Sequence, residues 1–238
     1  MYYLSVIIPA YNEEKKIGKD IEAFQSYFKE NSVNAELIVV DDGSKDQTYQ
    51  IASSYKEKFP SLKVITYKRN RGKGYATKTG MLEAQGEYLL LIDSGLSVPF
   101  KYINIGIDQL KKGSDVSIGS RRSKDSTAKI LVKQPFYRRF GSYLFKIFIQ
   151  TVNLIPEGIE DTQCGFKLFK REAARHIFKK MFTEKNIWDI EMLRIASKDN
   201  YKISVFPVEW ANDPDTRFNP FIGSFETLLQ IINIIIRT

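Results

Sequence analysis

The chain has 238 residues, 43% of them hydrophobic and 27% charged, the balance of an ordinary folded protein and not of a disordered one. Lys and Arg number 36 against 28 Asp and Glu, a formal charge of +8 that points to an anionic partner: a nucleotide, a lipid phosphate, an acidic membrane surface or a nucleic acid. A single cysteine, Cys164, and a single histidine, His176, exclude an internal disulfide and a multi-cysteine metal site and argue against Ser-His-Asp chemistry. The N-terminal MYYLSVIIPAY has no basic leader and no long apolar run, so it reads as a first strand and not a signal peptide. LSVIIP (4–9), ELIVV (36–40), LKVITY (62–67) and YLLLID (88–93) are expected strands, separated by helical patterns over 15–30, 47–59 and 73–85. That alternation predicts a parallel sheet with helices on both faces, and the nearly continuous apolar character of the strands fits burial on both sides. A helix over about 100–111 and the strand DVSIGS follow.

Past Arg121 the pattern changes. RRSKDSTAKILVKQP reads as a basic loop, and 136–154 as an aromatic, apolar helix with basic residues at its start. Next come KLFKR, helices from about 171 and about 187, the strand KISVFPVEW, the turn-rich NDPDTRFNPFIG and a last helix. His176 falls on the first of these helices and reads as a surface residue. No run reaches the length of a membrane span, and the nearest, FETLLQIINIIIRT, is interrupted by Gln230 and Asn233. With no linker or repeat, the chain is expected to form one domain over 1–238, in two halves, 1–121 and 122–238, that differ in pattern.

Ligands of open parallel α/β sheets bind outside the carboxyl ends of the strands. The first expected strand is followed by Tyr11, Asn12 and Glu13, the second by Asp41, Asp42, Gly43 and Ser44, and the fourth by Asp93, Ser94 and Gly95. Carboxylates thus converge on one rim, at a cost unless cations or hydrogen-bond donors offset them. A nucleotide would use them, through a base N–H, the ribose hydroxyls and a metal. The run Asp41-Asp42-Gly43-Ser44 with Asp46 also reads as a turn and helix cap. For Asp42 the two readings stand level until the other strand ends are counted. Asn70-Arg71-Gly72-Lys73-Gly74 precedes a helix whose N-terminus and basic residues favour an anion. Its spacing matches neither phosphate-loop fingerprint, and a tight turn with solvated side chains is the alternative.

SVIIPAYNE, VVDDGSKDQT, NRGKG, LLLIDSG, GSR and DTQCGFKLF, in this order, closely resemble the family-two glycosyltransferases of the GT-A fold. Within that family they look like its polyprenyl-phosphate branch, the dolichyl-phosphate glucosyltransferases and dolichol-phosphate mannose synthases. The resemblance implies donor binding by Pro9, Tyr11, Glu13, Asp42, Lys73, Asp93 and Arg217, with Asp42 facing the base and Asp93 the first acid of a DxD motif; Asp41 is a further donor-binding candidate from its place at the end of the second strand. It implies an acceptor-phosphate clamp of Arg121, Arg138 and Ser142, the last two spaced i,i+4 on a helix that also reads as an ordinary basic helix start. Asp161, Gln163, Asp189 and Glu191 match positions on the acceptor side, and Asp93, Arg121, Asp189 and Glu191 are the catalytic candidates.

The implied cofactor is a divalent ion, Mg2+ or Mn2+, on Asp93, with Ser97 and the donor diphosphate as further ligands. Gly95, however, stands where the family has its second acid. The expected reaction inverts the sugar's anomeric carbon, moving a hexose, foremost glucose from UDP-glucose, to a dolichyl or undecaprenyl phosphate. The alternatives are a transferase for a soluble glycan, and a nucleotide-sugar-binding protein with little or no turnover. Apolar stripes in 136–154 and in the last helix suit peripheral binding to the cytoplasmic face of a membrane, or packing on the sheet or on a second copy of the chain. No nucleic-acid motif is present.

Overall fold

A computed structural model describes residues 1–122, 154–211 and 224–238, the side chains of 224–228 excepted. Its strands are β1 (Leu4–Ala10), β2 (Ala35–Asp41), β3 (Leu62–Thr66), β4 (Tyr88–Ile92), β5 (Val116–Ser120), β6 (Phe166–Lys170) and β7 (Ile203–Pro207). They form one sheet in the order β3-β2-β1-β4-β6-β5-β7. The α/β sheet expected from the strand–helix alternation is present and mostly parallel. β6 departs from that pattern, running antiparallel to both β4 and β5.

The described helices are α1 (Ile17–Glu30), α2 (Thr48–Ser54), α3 (Lys73–Glu83), α4 (Lys101–Lys111), α5 (Arg171–Lys180), α6 (Trp188–Lys198) and α7 (Ser224–Arg237). One face of the sheet is covered by α1, α2 and α4, the other by α3, α5, α6 and α7. The chemistry of α1 shows why: Ile17, Ile21, Phe24 and Phe28 recur at three- and four-residue spacing, one stripe of a helix. All four enter the core that holds Val6, Ile8, Leu37 and Val39. Strand residues of opposite parity, Ile7, Ile38 and Val40, enter the other core with Ala76 and Met81 of α3. The period of two along each strand thus feeds two cores from one sheet.

The helix expected over 47–59 stops at Ser54. Turns carry the chain to Phe59, and Pro60 disfavours helical geometry in the residue before it. α7 settles where its own apolar residues go: Ile231 and Ile234 are buried in the core, while Leu229, Ile232, Ile235 and Ile236 are exposed, Ile236 by 75%. Among the described residues no helix is long and apolar enough to cross a membrane.

β1 lies between β2 and β4, so the chain reverses its direction of travel across the sheet at the β1/β4 boundary. Open α/β sheets bind their ligands outside the carboxyl ends of the strands at such a switch point. Because β6 is antiparallel, its entry at Phe166, opposite Ile92, brings Cys164 and Gly165 to the same rim as Asp93.

Candidate active site

The loops after β1 and β2 are stitched together by side chains. The Asn12 amide donates to Ser44 Oγ at 2.8 Å and the Lys45 amide to Asn12 Oδ1 at 2.7 Å, while the Glu13 amide donates to Thr48 Oγ1 at 2.7 Å. Asp46 accepts from the Thr48 amide at 3.0 Å and the Glu14 amide at 3.2 Å, the turn-and-cap role read from the sequence. Asp41 is buried, with one oxygen on the Ser44 amide at 3.2 Å and the other on the Thr66 hydroxyl at 2.6 Å. Its carboxylate is committed to the turn.

Asp42 is also buried, and it organises the next loop. It accepts from the Arg71 amide at 2.9 Å, the Gly72 amide at 2.9 Å and Asn70 Nδ2 at 2.8 Å. At the start of α3 two amides have protein partners: Gly74 donates to the Lys185 carbonyl and Tyr75 to that of Glu184. Arg71 pairs with Glu184 and lies 3.4 Å from the Tyr75 ring centroid. The cation of this loop that reaches the rim is Lys73, whose Nζ sits 2.6 Å from Asp93 Oδ1.

Asp93 and Lys73 begin a row of charge pairs across the rim. Burial alone would raise the Asp93 carboxyl, but Lys73, with Lys167 and Arg121 beyond it, holds it below the ordinary range. Arg121, at the end of β5, grips Asp161 bidentately, with Nε and a terminal nitrogen each 2.7 Å from a carboxylate oxygen. The Arg121 amide also donates to Asp161 at 2.9 Å, and the guanidinium lies over the Trp210 ring. Behind them Lys167, fully buried on β6, donates to the Cys164 carbonyl at 2.5 Å and sits 5.2 Å from the Trp188 ring centroid. Burial pushes its ammonium down, while Asp189 pulls it up. The Cys164 thiol is pushed up to about 11 by burial and is a poor nucleophile at neutral pH.

Asp189, in the first turn of α6, is buried, and its carboxyl is pushed up to about 6 by desolvation, with Lys167 and Lys73 pulling it back. The folded state therefore holds this proton more tightly than the unfolded chain does. The Asp189 contribution to stability is full below about pH 4, the unfolded value, and is lost as the pH rises to about 6. Replacing Asp189 with Asn should remove that loss, about 2 kcal/mol, when urea midpoints of the two proteins are compared across this window. Glu191 is different: its oxygens accept the Phe182 amide at 2.9 Å and the Thr183 amide at 2.7 Å. It anchors the loop before α6, and both oxygens are occupied.

Gly95, in place of the second acid, has φ +98°, a region that side chains rarely adopt. Its amide and the Ser94 hydroxyl are held by the buried Asp20 of α1, at 3.0 Å and 2.6 Å. Magnesium and manganese require hard oxygen ligands, usually one or two carboxylates with phosphate oxygens and waters. Among the described residues no group of three His, Cys, Asp or Glu could hold an ion. Asp93 Oδ1 already has an ammonium, and Gly95 offers no side chain, so these residues do not fit the divalent ion implied by the family pattern.

The rim brings together Asp42, Lys73, Asp93, Arg121 and Asp161, with Lys167 and Asp189 beneath. Pro9, Tyr11 and Glu13 lie at the end of β1 and in the loop after it, with Glu13 paired to Lys16 at 3.0 Å. Arg138, Ser142 and Arg217 lie outside the described residues. Lys167, Asp20 and Gly165 carried no assigned role in the sequence reading. For Lys167 there was a signal: FKLFK places a lysine on the alternation of a strand between apolar neighbours, where a charge has to meet a partner.

The sequence model for glycosyl transferase family 2 matches residues 5–178, from β1 through most of α5. The dolichyl-phosphate beta-glucosyltransferase of Dictyostelium discoideum is 38% identical, over 98% of this chain and 73% of that protein. Its Homo sapiens counterpart is 34% identical, over 92% and 70%. The glucosyl-3-phosphoglycerate synthase of Mycobacterium tuberculosis, solved with Mn2+, UDP and glucosyl-3-phosphoglycerate, superposes with a TM-score of 0.70 at 18% identity, over 98% of this chain and 78% of that one. The same synthase with Mn2+ and UDP-glucose gives 0.69 at 19% identity. At such identity the likeness is one of fold, the GT-A arrangement of a mostly parallel sheet with flanking helices. The family match spans both sides of the rim, Asp42 and Lys73 as well as Arg121, Asp161 and Lys167, and on that evidence the chain is a glycosyltransferase belonging to glycosyl transferase family 2.

Proposed function

We propose that the chain transfers glucose from UDP-glucose to a polyprenyl phosphate of the dolichyl type, inverting the anomeric carbon. The observation that carries this reading is the 38% identity to a dolichyl-phosphate beta-glucosyltransferase across 98% of the chain. The acidic rim residues would hold the donor, with Asp42, fixed among the amides of the 70–72 loop, placing that loop against the nucleoside. Arg121, with Arg138 and Ser142, would meet the acceptor phosphate, and Arg217 the donor diphosphate; the division into donor and acceptor halves at residue 121 belongs to the same proposal. An acceptor phosphate oxygen attacks the anomeric carbon with its lone pair. The bond from that carbon to the donor's β-phosphate oxygen breaks, and its electron pair leaves on UDP.

A phosphate monoester has a second pKa of about 6, so near neutral pH the nucleophile is already deprotonated and no proton has to move. The protein's task is alignment and neutralisation of the leaving diphosphate. A soluble hydroxyl acceptor is the second reading, favoured by Asp189, whose carboxyl near 6 suits a general base. Glu191 does not suit that role, since both its oxygens hold amides.

The lipid acceptor also gives a role to the uncovered face of α7. Leu229, Ile232, Ile235 and Ile236 are exposed, Arg237 lies in the last turn, and the chain carries +8. Such a face, apolar and bordered by a cation, would rest on an anionic bilayer surface, the cytoplasmic one in this proposal. Replacing Ile232 and Ile236 together with Asp should weaken binding to vesicles containing anionic lipid by about tenfold or more, without lowering the thermal midpoint. Unchanged vesicle binding would count against this face. The reaction itself is tested by incubating the protein with dolichyl phosphate and labelled UDP-glucose, UDP-galactose, UDP-GlcNAc or GDP-mannose. Lipid-extractable label from UDP-glucose is expected; label only in a soluble product would favour the second reading, and no label from any donor would refute transfer.

A further inference from the structure

We propose that this chain neutralises the departing diphosphate with its own cations, Lys73 foremost, and takes up no divalent ion at Asp93; this rests on the glycosyl-transfer reading above. The first ground is geometric. The position a metal would take against Asp93 is held by an ammonium, Lys73 Nζ, at 2.6 Å from Oδ1. The residue that would complete a carboxylate pair is Gly95, whose amide is turned towards Asp20 at 3.0 Å and whose φ of +98° disfavours any side chain.

The second ground is charge. A corner built from two carboxylates has two surplus negative charges, and uptake of a doubly charged cation brings it to neutrality. Here the carboxylates of this corner already have cations: Asp93 has Lys73, Asp161 has Arg121, and buried Asp189 interacts electrostatically with buried Lys167, while Asp42 is satisfied by the amides of the 70–72 loop. The last pair is neutral whichever partner holds the proton. This corner is therefore balanced before any ion enters, and a divalent ion would have to displace Lys73 to gain a single carboxylate. When the donor binds, its diphosphate can accept charge-assisted hydrogen bonds from the other N–H groups of Lys73 while the ammonium stays on Asp93. Arg121 and Lys167 remain within electrostatic reach of Asp93 and extend the positive field behind the leaving group.

The test begins with calorimetric titration of UDP into the full chain, once with excess EDTA and once with Mn2+. The dissociation constants should agree within about threefold, a difference of under about 0.7 kcal/mol. A loss of about tenfold or more in EDTA would overturn the proposal, as would a lack of UDP binding in both buffers. Replacing Lys73 with Met should weaken UDP binding in EDTA by about tenfold or more, the value of a charge-assisted hydrogen bond; unchanged affinity would overturn the role given to Lys73. The lipid-transfer assay is then repeated with EDTA. Retained transfer supports the proposal, and transfer lost in EDTA but restored by Mn2+ refutes it. If no transfer occurs under either condition, the functional reading fails, while the UDP titrations still decide whether the rim needs an ion.

Discussion

Replacing Asp161 with alanine is expected to cost about 3–5 kcal/mol of stability and to lower transfer by about a hundredfold. Asp161 has a side chain only 3% exposed, and it takes three hydrogen bonds from Arg121, two from the guanidinium and one from the amide. Desolvation raises its carboxyl, and the Arg121 contacts more than reverse this and hold it below the ordinary range. Deleting it strands a guanidinium that is mostly withdrawn from water, and the penalty is that of an unpaired charge in addition to the lost bonds. The Arg121 side chain would then swing out, leaving Trp210 and the acceptor side of the rim. Urea unfolding measures the first effect and lipid-extractable label the second. Asp161→Asn separates them: it keeps the volume and one acceptor oxygen, so it should recover part of the stability while leaving the guanidinium without its counter-charge. Asp161→Ala at wild-type stability would show that Arg121 is held by something other than this pair.

Much of the fold could be read from local chemistry. Continuous apolar runs marked β1, β2 and β4 because a strand buried on both faces leaves no polar alternation, and α1 announced itself by its stripe. The place of β6 was not legible in the same way. FKLFK has the composition of any short strand, and its direction depends on Leu89 and Leu91 pairing with Phe169 and Lys167, a contact between distant parts of the chain. The same pairing explains why Lys167 had no role in the sequence reading: only the antiparallel register sets it beneath the rim, facing Asp189 of α6.

The position of a residue on the rim was legible where a motif and a strand end coincide, at Asp42, Asp93 and Arg121. The sequence was ambiguous where identical residue types divide their labour. Asp41 and Asp42 are adjacent carboxylates at the end of one strand, but the first is taken up by Ser44 and Thr66 and the second by the 70–72 loop. Asp189 and Glu191 are likewise two residues apart. Side chains two apart on a helix do not share a face, so one meets Lys167 and the other the amides of Phe182 and Thr183. The glycine-rich start of α3 divides its roles in the same way: the carbonyls of Glu184 and Lys185 take the amides of Tyr75 and Gly74, as in a tight turn, while the Lys73 side chain reaches Asp93.

Gly165→Ala should reduce transfer by about a hundredfold or more while changing stability by less than about 2 kcal/mol. A β-carbon at this position would lie 2.1 Å from Asp93 Oδ2 and 2.2 Å from its carboxyl carbon, well inside contact distance. The backbone cannot retreat, because the Gly165 carbonyl accepts the Asp93 amide at 3.1 Å at the end of the β4–β6 ladder. The carboxylate must therefore rotate, and its partly open position, with 39% of the side chain exposed, lets it turn towards solvent at small cost. What is lost is the Lys73 pair and the placement of that cation. A double-mutant cycle measures this directly. With Asp93 already replaced by Ala, the added methyl at 165 meets no carboxylate, so Gly165→Ala should change transfer by less than about twofold in that background. A full hundredfold loss there would mean that the substitution acts through the β4–β6 backbone and not through Asp93. A loss that vanishes would establish that Gly165 is glycine because the Asp93 carboxylate occupies the space where a side chain would stand.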